Sequence, residues 1–145
     1  MRPAVYRGDL GELLAKYMGR HAGRDQECAA LVQTVTNVGH TSRWQPGPRV
    51  VDQNYIEPGT VIANFVTENG QSRYPNRSGW HVAIFLDFGP RYVNGGYANI
   101  WGLDQWRGSS GVARRSKKAC SREEARRNNV RASNNANEYY IVLVP

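Results

Sequence analysis

The sequence predicts an α+β fold, with N-terminal helices packed on an antiparallel sheet. Two observations support this prediction. Helical periodicity is confined to the first 40 residues, whereas β-branched runs separated by turn residues dominate from residue 60 onward. With 145 residues and 40% hydrophobic content, the chain is also long enough to fill one core. We therefore expect a single domain over residues 1–145.

Two segments carry helix signatures. The first follows Asp9, which forms a capping pair with Glu12, and it should end near Gly19. The second runs up to Gly39, a typical C-terminal stop. Its apolar residues recur at i, i+3, i+4, i+7 and i+10 and are Cys28, Leu31, Val32, Val35 and Val38. This pattern predicts a buried helix whose first inward residue is Cys28.

The rest of the chain predicts strands and loops. Residues 40–58 hold three prolines and little periodicity, which predicts a long loop of the kind that often lines a site. Apolar, β-branched or aromatic runs predict four strands, at 60–65, 81–88, 99–106 and 139–144. The Gly- and Asn-rich residues 89–98 should join the second and third strands as a hairpin.

Positive charge is concentrated in one segment. The chain has a formal net charge of +7, and residues 114–131 alone contain eight basic and two acidic side chains. Such a segment attracts polyanions, either nucleic acid or an acidic polymer, but it is also typical of a solvated helix, here capped by Ser121 and Glu124. A nucleic-acid-binding module is therefore the alternative function, although no recognised binding motif accompanies the charge.

Several classes of protein lack support in the sequence. No apolar run approaches the roughly 20 residues that span a bilayer, and the N-terminus lacks the apolar core of a cleavable signal peptide. The histidines and cysteines show no CxxC, HxxxH or HExxH spacing, and neither phosphate-binding glycine motif is present. We expect no membrane insertion, no metal and no cofactor.

Cys28 is the candidate nucleophile. At the start of a helix, free backbone N–H groups and the positive end of the helix dipole favour a thiolate over a thiol. The Cys28 amide could also donate to an oxyanion formed on an attacked carbonyl. An isolated cysteine is more often a small buried hydrophobic residue, so this interpretation needs a base nearby. Cys120 has no such setting, and we expect it to be dispensable.

His81 is the candidate base because it opens a strand, where an imidazole can face a cleft. If the hairpin is centred near residues 92 and 93, the numbers of cross-strand partners sum to about 185, which places Asp104 opposite His81. A carboxylate there would orient the imidazole and stabilise its charged form. Asn99 and Gln105 are weaker polar alternatives for this role.

Substrate contacts are predicted from residues near these three. Trp44 lies on the predicted loop 40–58 and could hold a peptide or a sugar on its aromatic face. Ser78 and Gly79 come shortly before His81 and are further candidates for contacting a substrate.

Four segments in order, ECAALVQ, PGTVIANF, GWHVAIFL and IWGLDQW, resemble the small papain-like bacterial amidases of the CHAP and NlpC type. The resemblance is strongest to type VI secretion amidase effectors and spans about residues 27–108. It implies a papain-like core with Cys28 as nucleophile, His81 as base and Asp104 as third member. Related amidases often place a Gln or Tyr near the nucleophile, so Gln26 joins Cys28 as a candidate for the oxyanion hole, while Glu27 departs from the pattern.

The resemblance also implies a biological setting. The substrate would be the stem peptides of peptidoglycan, reached by secretion without a cleavable signal peptide into the periplasm of a target cell, and a cognate immunity protein would block the cleft. A housekeeping or phage-type wall hydrolase would share these motifs, and so would a non-catalytic relative. The sequence leaves open which amide is cut, the D-Ala–diaminopimelate cross-link or the γ-D-glutamyl–diaminopimelate bond.

Overall fold

Three short helices and nine strands make up the fold, and the computed structural model describes all 145 residues. The helices are α1 (Leu10–Tyr17), α2 (Cys28–Val35) and α3 (Arg122–Arg127). The strands are β1 (Arg2–Pro3), β2 (Gln45–Arg49), β3 (Val61–Ala63), β4 (Val66–Glu68), β5 (Gln71–Arg73), β6 (Val82–Phe88), β7 (Asn99–Asp104), β8 (Ala113–Lys118) and β9 (Tyr140–Val144). The predicted combination of helices and antiparallel strands is confirmed. None of the helices has the length and apolar character that crossing a bilayer requires.

Seven strands form one antiparallel sheet in the order β1-β9-β3-β6-β7-β8, and β2 also pairs with β9. β4 and β5 form a separate hairpin. The last strand in the chain therefore lies inside the sheet, between elements that come much earlier in the sequence. It joins the N-terminal and central parts of the fold.

The central strands bury both of their faces. On one face, Ile84 packs with Leu31 of α2 in the larger core cluster. On the other face, Phe85 packs with Tyr139 in a second cluster formed with the C-terminal turns. A continuous apolar run such as β6 suits a strand covered on both sides. The start of β6 consequently lies close to helix α2.

The two N-terminal helices begin where the sequence predicts. The Asp9 side chain accepts a hydrogen bond from the Glu12 amide at 2.8 Å and caps α1. Helix α2 begins at Cys28 but ends at Val35, short of the predicted Gly39. The Thr36 hydroxyl bonds back to a helix carbonyl, and its backbone is already extended, as suits a β-branched residue at a helix end.

Residues 40–58 do not form the predicted loop along a site. They contain β2 and two single turns of 3-10 helix, and β2 pairs with β9. Prolines at positions 46 and 48 obscured this strand, because proline is tolerated only where a strand has a free edge. The segment therefore contributes to the sheet and does not line the cleft described below.

β8 was not predicted. Its sequence, ARRSKK, shows no alternation of apolar and polar residues, yet it pairs with β7 along its full length, from Lys118 to Ala113. Half of the basic side chains of segment 114–131 thus lie on an edge strand and not on a helix. The predicted cap of the short helix α3 is confirmed, because Ser121 accepts a hydrogen bond from the Glu124 amide at 3.1 Å.

The hairpin of β6 and β7 is confirmed, but its register differs from the prediction. Phe85 pairs with Gly102, so partner numbers sum to 187 and not to 185. The turn is centred further along the chain, since the Tyr92 amide donates to the Gly96 carbonyl. His81 and Asp104 are therefore diagonal and not direct neighbours. Beyond an irregularity between Phe85 and Asp87 the sum changes to 188, but His81 and Asp104 lie on the side of the irregularity where the shift is two residues. An even shift keeps side chains on their predicted face, so the pair still meets.

Candidate active site

Cys28 is fixed in place from two directions. It is the first residue of α2, and Glu27 before it is extended. The buried side chain of Gln105, just past β7, donates to the Glu27 carbonyl at 2.8 Å and exchanges two hydrogen bonds with the backbone of Ala22. Gln105 thereby ties the segment before α2 to the sheet. Sequence reasoning considered Gln105 only as a substitute for Asp104 and missed this role.

His81 is held by its backbone. Its amide donates to the Asn64 side chain at 2.9 Å, and its carbonyl accepts from the Asn64 amide at 3.0 Å. The Asn64 side chain also donates to the carbonyl of Glu138 at 2.9 Å. Since Asn64 is fully buried, it links the start of β6 to the segment before β9 and fixes where the imidazole lies.

Asp104 lies beside the imidazole and is surrounded by cations. One of its oxygens is 2.8 Å from His81 Nε2 and 3.2 Å from Lys117 Nζ, and the other is 2.6 Å from Arg115 Nη1. Only 1% of the residue is exposed. Burial alone would raise the pKa of Asp104, but the bond and charge of His81, with Lys117 and Arg115, lower it to about 2. The carboxylate is therefore ionised at neutral pH.

The thiol of Cys28 and the imidazole of His81 favour each other's charged form. Burial opposes charge on both groups. Nevertheless, hydrogen bonding to His81 and its positive charge lower the pKa of Cys28, and bonds to Asp104 and Cys28 raise the pKa of His81. Because Nε2 of the ring is engaged by Asp104, Nδ1 is the nitrogen left for the thiol. The arrangement favours a thiolate–imidazolium pair.

Tyr74 is a member of this group that the sequence did not reveal. Its hydroxyl is 3.1 Å from Cys28 Sγ, and this bond helps to lower the pKa of Cys28. Burial and the neighbouring Cys28 raise the pKa of Tyr74 far above its ordinary range, so the hydroxyl keeps its proton and can donate to a thiolate. Tyr74 lies after β5 in a polar stretch without periodicity, so no pattern marked it.

Cys28 and His81 line a cleft of about 790 Å³. The predicted contact residues Ser78 and Gly79 line it too, while Asp104 lies behind His81. Two aromatic side chains, Trp80 and Trp106, also form part of its wall. The lining continues past the predicted core of 27–108, through Lys117, Arg131, Ser133 and Asn134.

Trp44 does not contact this cleft, contrary to prediction. Only 1% of its surface is exposed, its ring packs against Tyr74 with centroids 4.9 Å apart, and its indole N–H donates to the Val38 carbonyl at 3.2 Å. The cause is β2, which starts at the next residue and draws the chain onto the sheet. Trp44 is a core residue that supports Tyr74 from behind.

Of the two candidates for an oxyanion hole, only Cys28 lines the cleft. As the first residue of α2 it has no partner within the helix for its amide, which leaves this N–H free for a ligand. Gln26 is exposed, and its backbone has a left-handed φ of 62°. A nucleophile, a base, an orienting carboxylate and a free amide together can carry out acyl transfer from an amide.

Comparison with known proteins gives a consistent result. Residues 9–142 match the family described as domesticated amidase effector 2 (Dae2). A type VI secretion amidase effector 2 protein from Salmonella typhi is 40% identical over 126 residues, which cover 83% of this chain and 86% of that protein. The solved structure of a type 6 secretion amidase effector 2 (Tae2) is 37% identical, with a TM-score of 0.67 over 86% of this chain and 85% of that one.

Proposed function

Because the chain belongs to the domesticated amidase effector 2 family, we propose that it hydrolyses amide bonds of peptidoglycan with Cys28 as nucleophile and His81 as acid and base. The observation that carries the proposal is the series Cys28, His81 and Asp104 at the wall of an open cleft: Asp104 lies 2.8 Å from the imidazole, and His81 lowers the pKa of Cys28. Such a series supplies an activated thiolate where a substrate can reach it.

In the first half-reaction the Cys28 thiolate attacks the carbonyl carbon of the amide, and a tetrahedral intermediate forms. Its oxyanion accepts a hydrogen bond from the free Cys28 amide. When the C–N bond breaks, the imidazolium of His81 gives its proton to the leaving amine. The acyl group remains on Cys28 as a thioester, and His81 is neutral.

In the second half-reaction a water molecule enters where the amine left. His81 takes a proton from this water, which attacks the thioester, and the acyl product leaves as a carboxylic acid. The Cys28 thiolate and the His81 imidazolium are then restored. Asp104 keeps its charge throughout and holds the ring by Nε2, which leaves Nδ1 to exchange the proton.

The setting we infer is that of a secreted antibacterial effector that acts on the wall of a target cell. Its relatives are named type VI secretion amidase effectors. We propose that the whole chain, 1–145, forms the amidase domain and acts in the target periplasm without needing a cleavable signal peptide. The open cleft offers a surface that a cognate immunity protein could cover. The proposal covers both candidate bonds, the D-Ala–diaminopimelate cross-link and the γ-D-glutamyl–diaminopimelate amide of the stem peptide.

Digestion of purified peptidoglycan tests the proposal. Wild-type protein and Cys28→Ala are incubated with sacculi, and released fragments are identified by mass spectrometry. We expect fragments from the wild type only, and their masses name the amide that is cut. Cys120→Ser is the matched control, since that thiol lies outside the cleft, and it should retain full activity. Fragment release by Cys28→Ala, or none by the wild type from several bacterial walls, would refute the proposal.

A further inference from the structure

The cleft is lined by four cationic side chains, and one of them differs from the rest. They are Arg77, Arg107, Lys117 and Arg131. Three are paired with carboxylates: Arg77 with Glu68 at 3.0 Å, Arg107 with Glu27 at 3.3 Å, and Lys117 with Asp104 at 3.2 Å. Arg131 has no carboxylate partner. Its guanidinium instead donates to the Ser78 hydroxyl at 3.1 Å.

Arg131 is also held in place on the wall that leads to His81. A turn of 3-10 helix, Ala132–Asn134, follows Arg131. This turn is bonded to the segment just before β6, because the Ser133 amide donates to the Gly79 carbonyl at 3.1 Å. With the bond to Ser78, the backbone and the side chain of this segment both contact residues 78–79. The guanidinium is thus positioned before any ligand binds, and most of its five N–H donors remain free.

We propose that Arg131 binds a carboxylate of the substrate peptide close to the amide that is cut. The inference rests on the function proposed above, because it assigns a specificity determinant to that same cleft. A guanidinium presents paired N–H donors that match the two oxygens of a carboxylate. The other three cations that line the cleft already bond to carboxylates of the protein, so Arg131 is the one whose guanidinium has no carboxylate partner and is available to an anionic group that enters the cleft.

The test compares two substrates with a single difference. One is a cross-linked muropeptide with free peptide carboxylates, and the other carries primary amides in their place. We expect Arg131→Gln to lower kcat/KM on the free-carboxylate substrate about ten- to a hundred-fold, as for losing a charged hydrogen-bonded pair. The loss should lie mainly in KM, because Arg131 does not touch the reacting atoms. Arg127→Gln, an exposed change of equal charge on α3, should match the wild type.

The amidated substrate separates recognition from structure. Wild type and Arg131→Gln should cut the amidated substrate at equal rates, close to the rate of Arg131→Gln on the free-carboxylate substrate. On the free-carboxylate substrate, Arg131→Lys should recover part of the activity that Arg131→Gln loses. Equal losses for Arg131→Gln on both substrates would mean that Arg131 only supports the wall, and would overturn the inference. A wild-type rate indifferent to amidation would overturn it too. Failure of the wild type on both substrates would overturn the proposed function itself.

Discussion

At the scale of single residues, the central feature is a proton held by His81 instead of Cys28. The lowered pKa of Cys28 and the raised pKa of His81 widen the pH range in which the ion pair exists. Activity should rise as pH passes the lowered cysteine pKa and fall as pH passes the raised histidine pKa. The Asp104 carboxylate extends this range to higher pH, because its bond to His81 raises the pKa of the imidazole.

Replacing Asp104 with Asn should therefore move the upper limit. Without the carboxylate, the charged His81 loses its main stabilising partner, and Arg115 and Lys117 repel it, so its pKa falls. We expect the basic limb of the kcat/KM profile to shift to lower pH. The maximum should fall about 10²-fold, because the variant weakens the general acid–base action of His81. Asp87→Asn, an exposed change on the same sheet, is the control. An unmoved basic limb would contradict the role given to Asp104.

The order of losses among the site residues is a second expectation. His81→Ala removes the group that moves the proton, whereas Asp104→Ala removes only the group that orients and charges it. The His81 variant should be the less active of the two in single-turnover digestion of peptidoglycan. The opposite order would mean that the roles of these two residues have been assigned wrongly.

Tyr74→Phe probes the thiolate directly. The change keeps the ring that packs on Trp44 but removes the hydroxyl 3.1 Å from Cys28 Sγ. Loss of this bond should raise the pKa of Cys28 and slow its alkylation at neutral pH, by roughly tenfold to a hundredfold for one hydrogen bond to a charged group. The rate of alkylation by iodoacetamide as a function of pH measures this. Tyr55→Phe, at an exposed tyrosine, should leave the profile unchanged.

At the scale of secondary-structure elements, the parts of the site that periodicity marks were predicted correctly. Helical spacing located Cys28 at the start of α2, and the apolar run of β6 placed His81 at its beginning. The predicted register was wrong by two residues beside His81. Because successive side chains of a strand alternate between the two faces of the sheet, a shift of two keeps each on the same face, so Asp104 was still assigned to the correct neighbour. Alternation along strands is robust to such an error.

Strands β2 and β8 were not predicted because neither shows the alternation of apolar and polar residues that marks a half-buried strand. β8 buries no apolar stripe; instead Arg115 and Lys117 turn inward to neutralise Asp104, which a charge count cannot distinguish from a solvated surface. Trp44 was assigned to the cleft because prolines hid β2. Polar contacts between segments far apart in the chain, such as that of Tyr74 with Cys28, leave no local pattern at all.

Gln105→Ala tests how the sheet positions helix α2. The change deletes three hydrogen bonds that the buried Gln105 side chain makes to the backbone of Ala22 and Glu27, and it leaves a cavity. We expect the free energy of unfolding to fall by about 2–4 kcal/mol, as for a broken buried network. Alkylation of Cys28 should slow as well, since its helix start is no longer fixed. Gln71→Ala, on the exposed hairpin of β4 and β5, should change neither property.

At the scale of the whole molecule, the buried charge of Asp104 couples the site to the stability of the fold. Its pKa is about 2 in the folded protein, against an ordinary value of 3.8. A carboxyl whose pKa is depressed on folding stabilises the protein above its unfolded pKa, and this contribution is lost as pH falls through its folded pKa. The difference corresponds to about 2 kcal/mol.

Acid unfolding should reveal this coupling. Between pH 4 and pH 2 the wild-type free energy of unfolding should fall with decreasing pH, and about 2 kcal/mol of that fall should be absent from Asp104→Asn, which has no proton to take up. Urea titrations at several pH values measure the slope. The exposed-site control Asp87→Asn should keep the wild-type slope. Identical slopes for wild type and Asp104→Asn would show that the carboxyl is not perturbed by folding.

The position of β9 also has a consequence during protein synthesis. The ribosome makes the chain from the N-terminus, so the strand that pairs with β1, β2 and β3 emerges after every other strand. A chain translated only as far as residue 130 lacks the Glu138 carbonyl to which Asn64 donates, and it also lacks the wall that bears Arg131. Such a partly translated chain lacks one wall of the cleft, so the cleft can be complete only after translation has passed these residues.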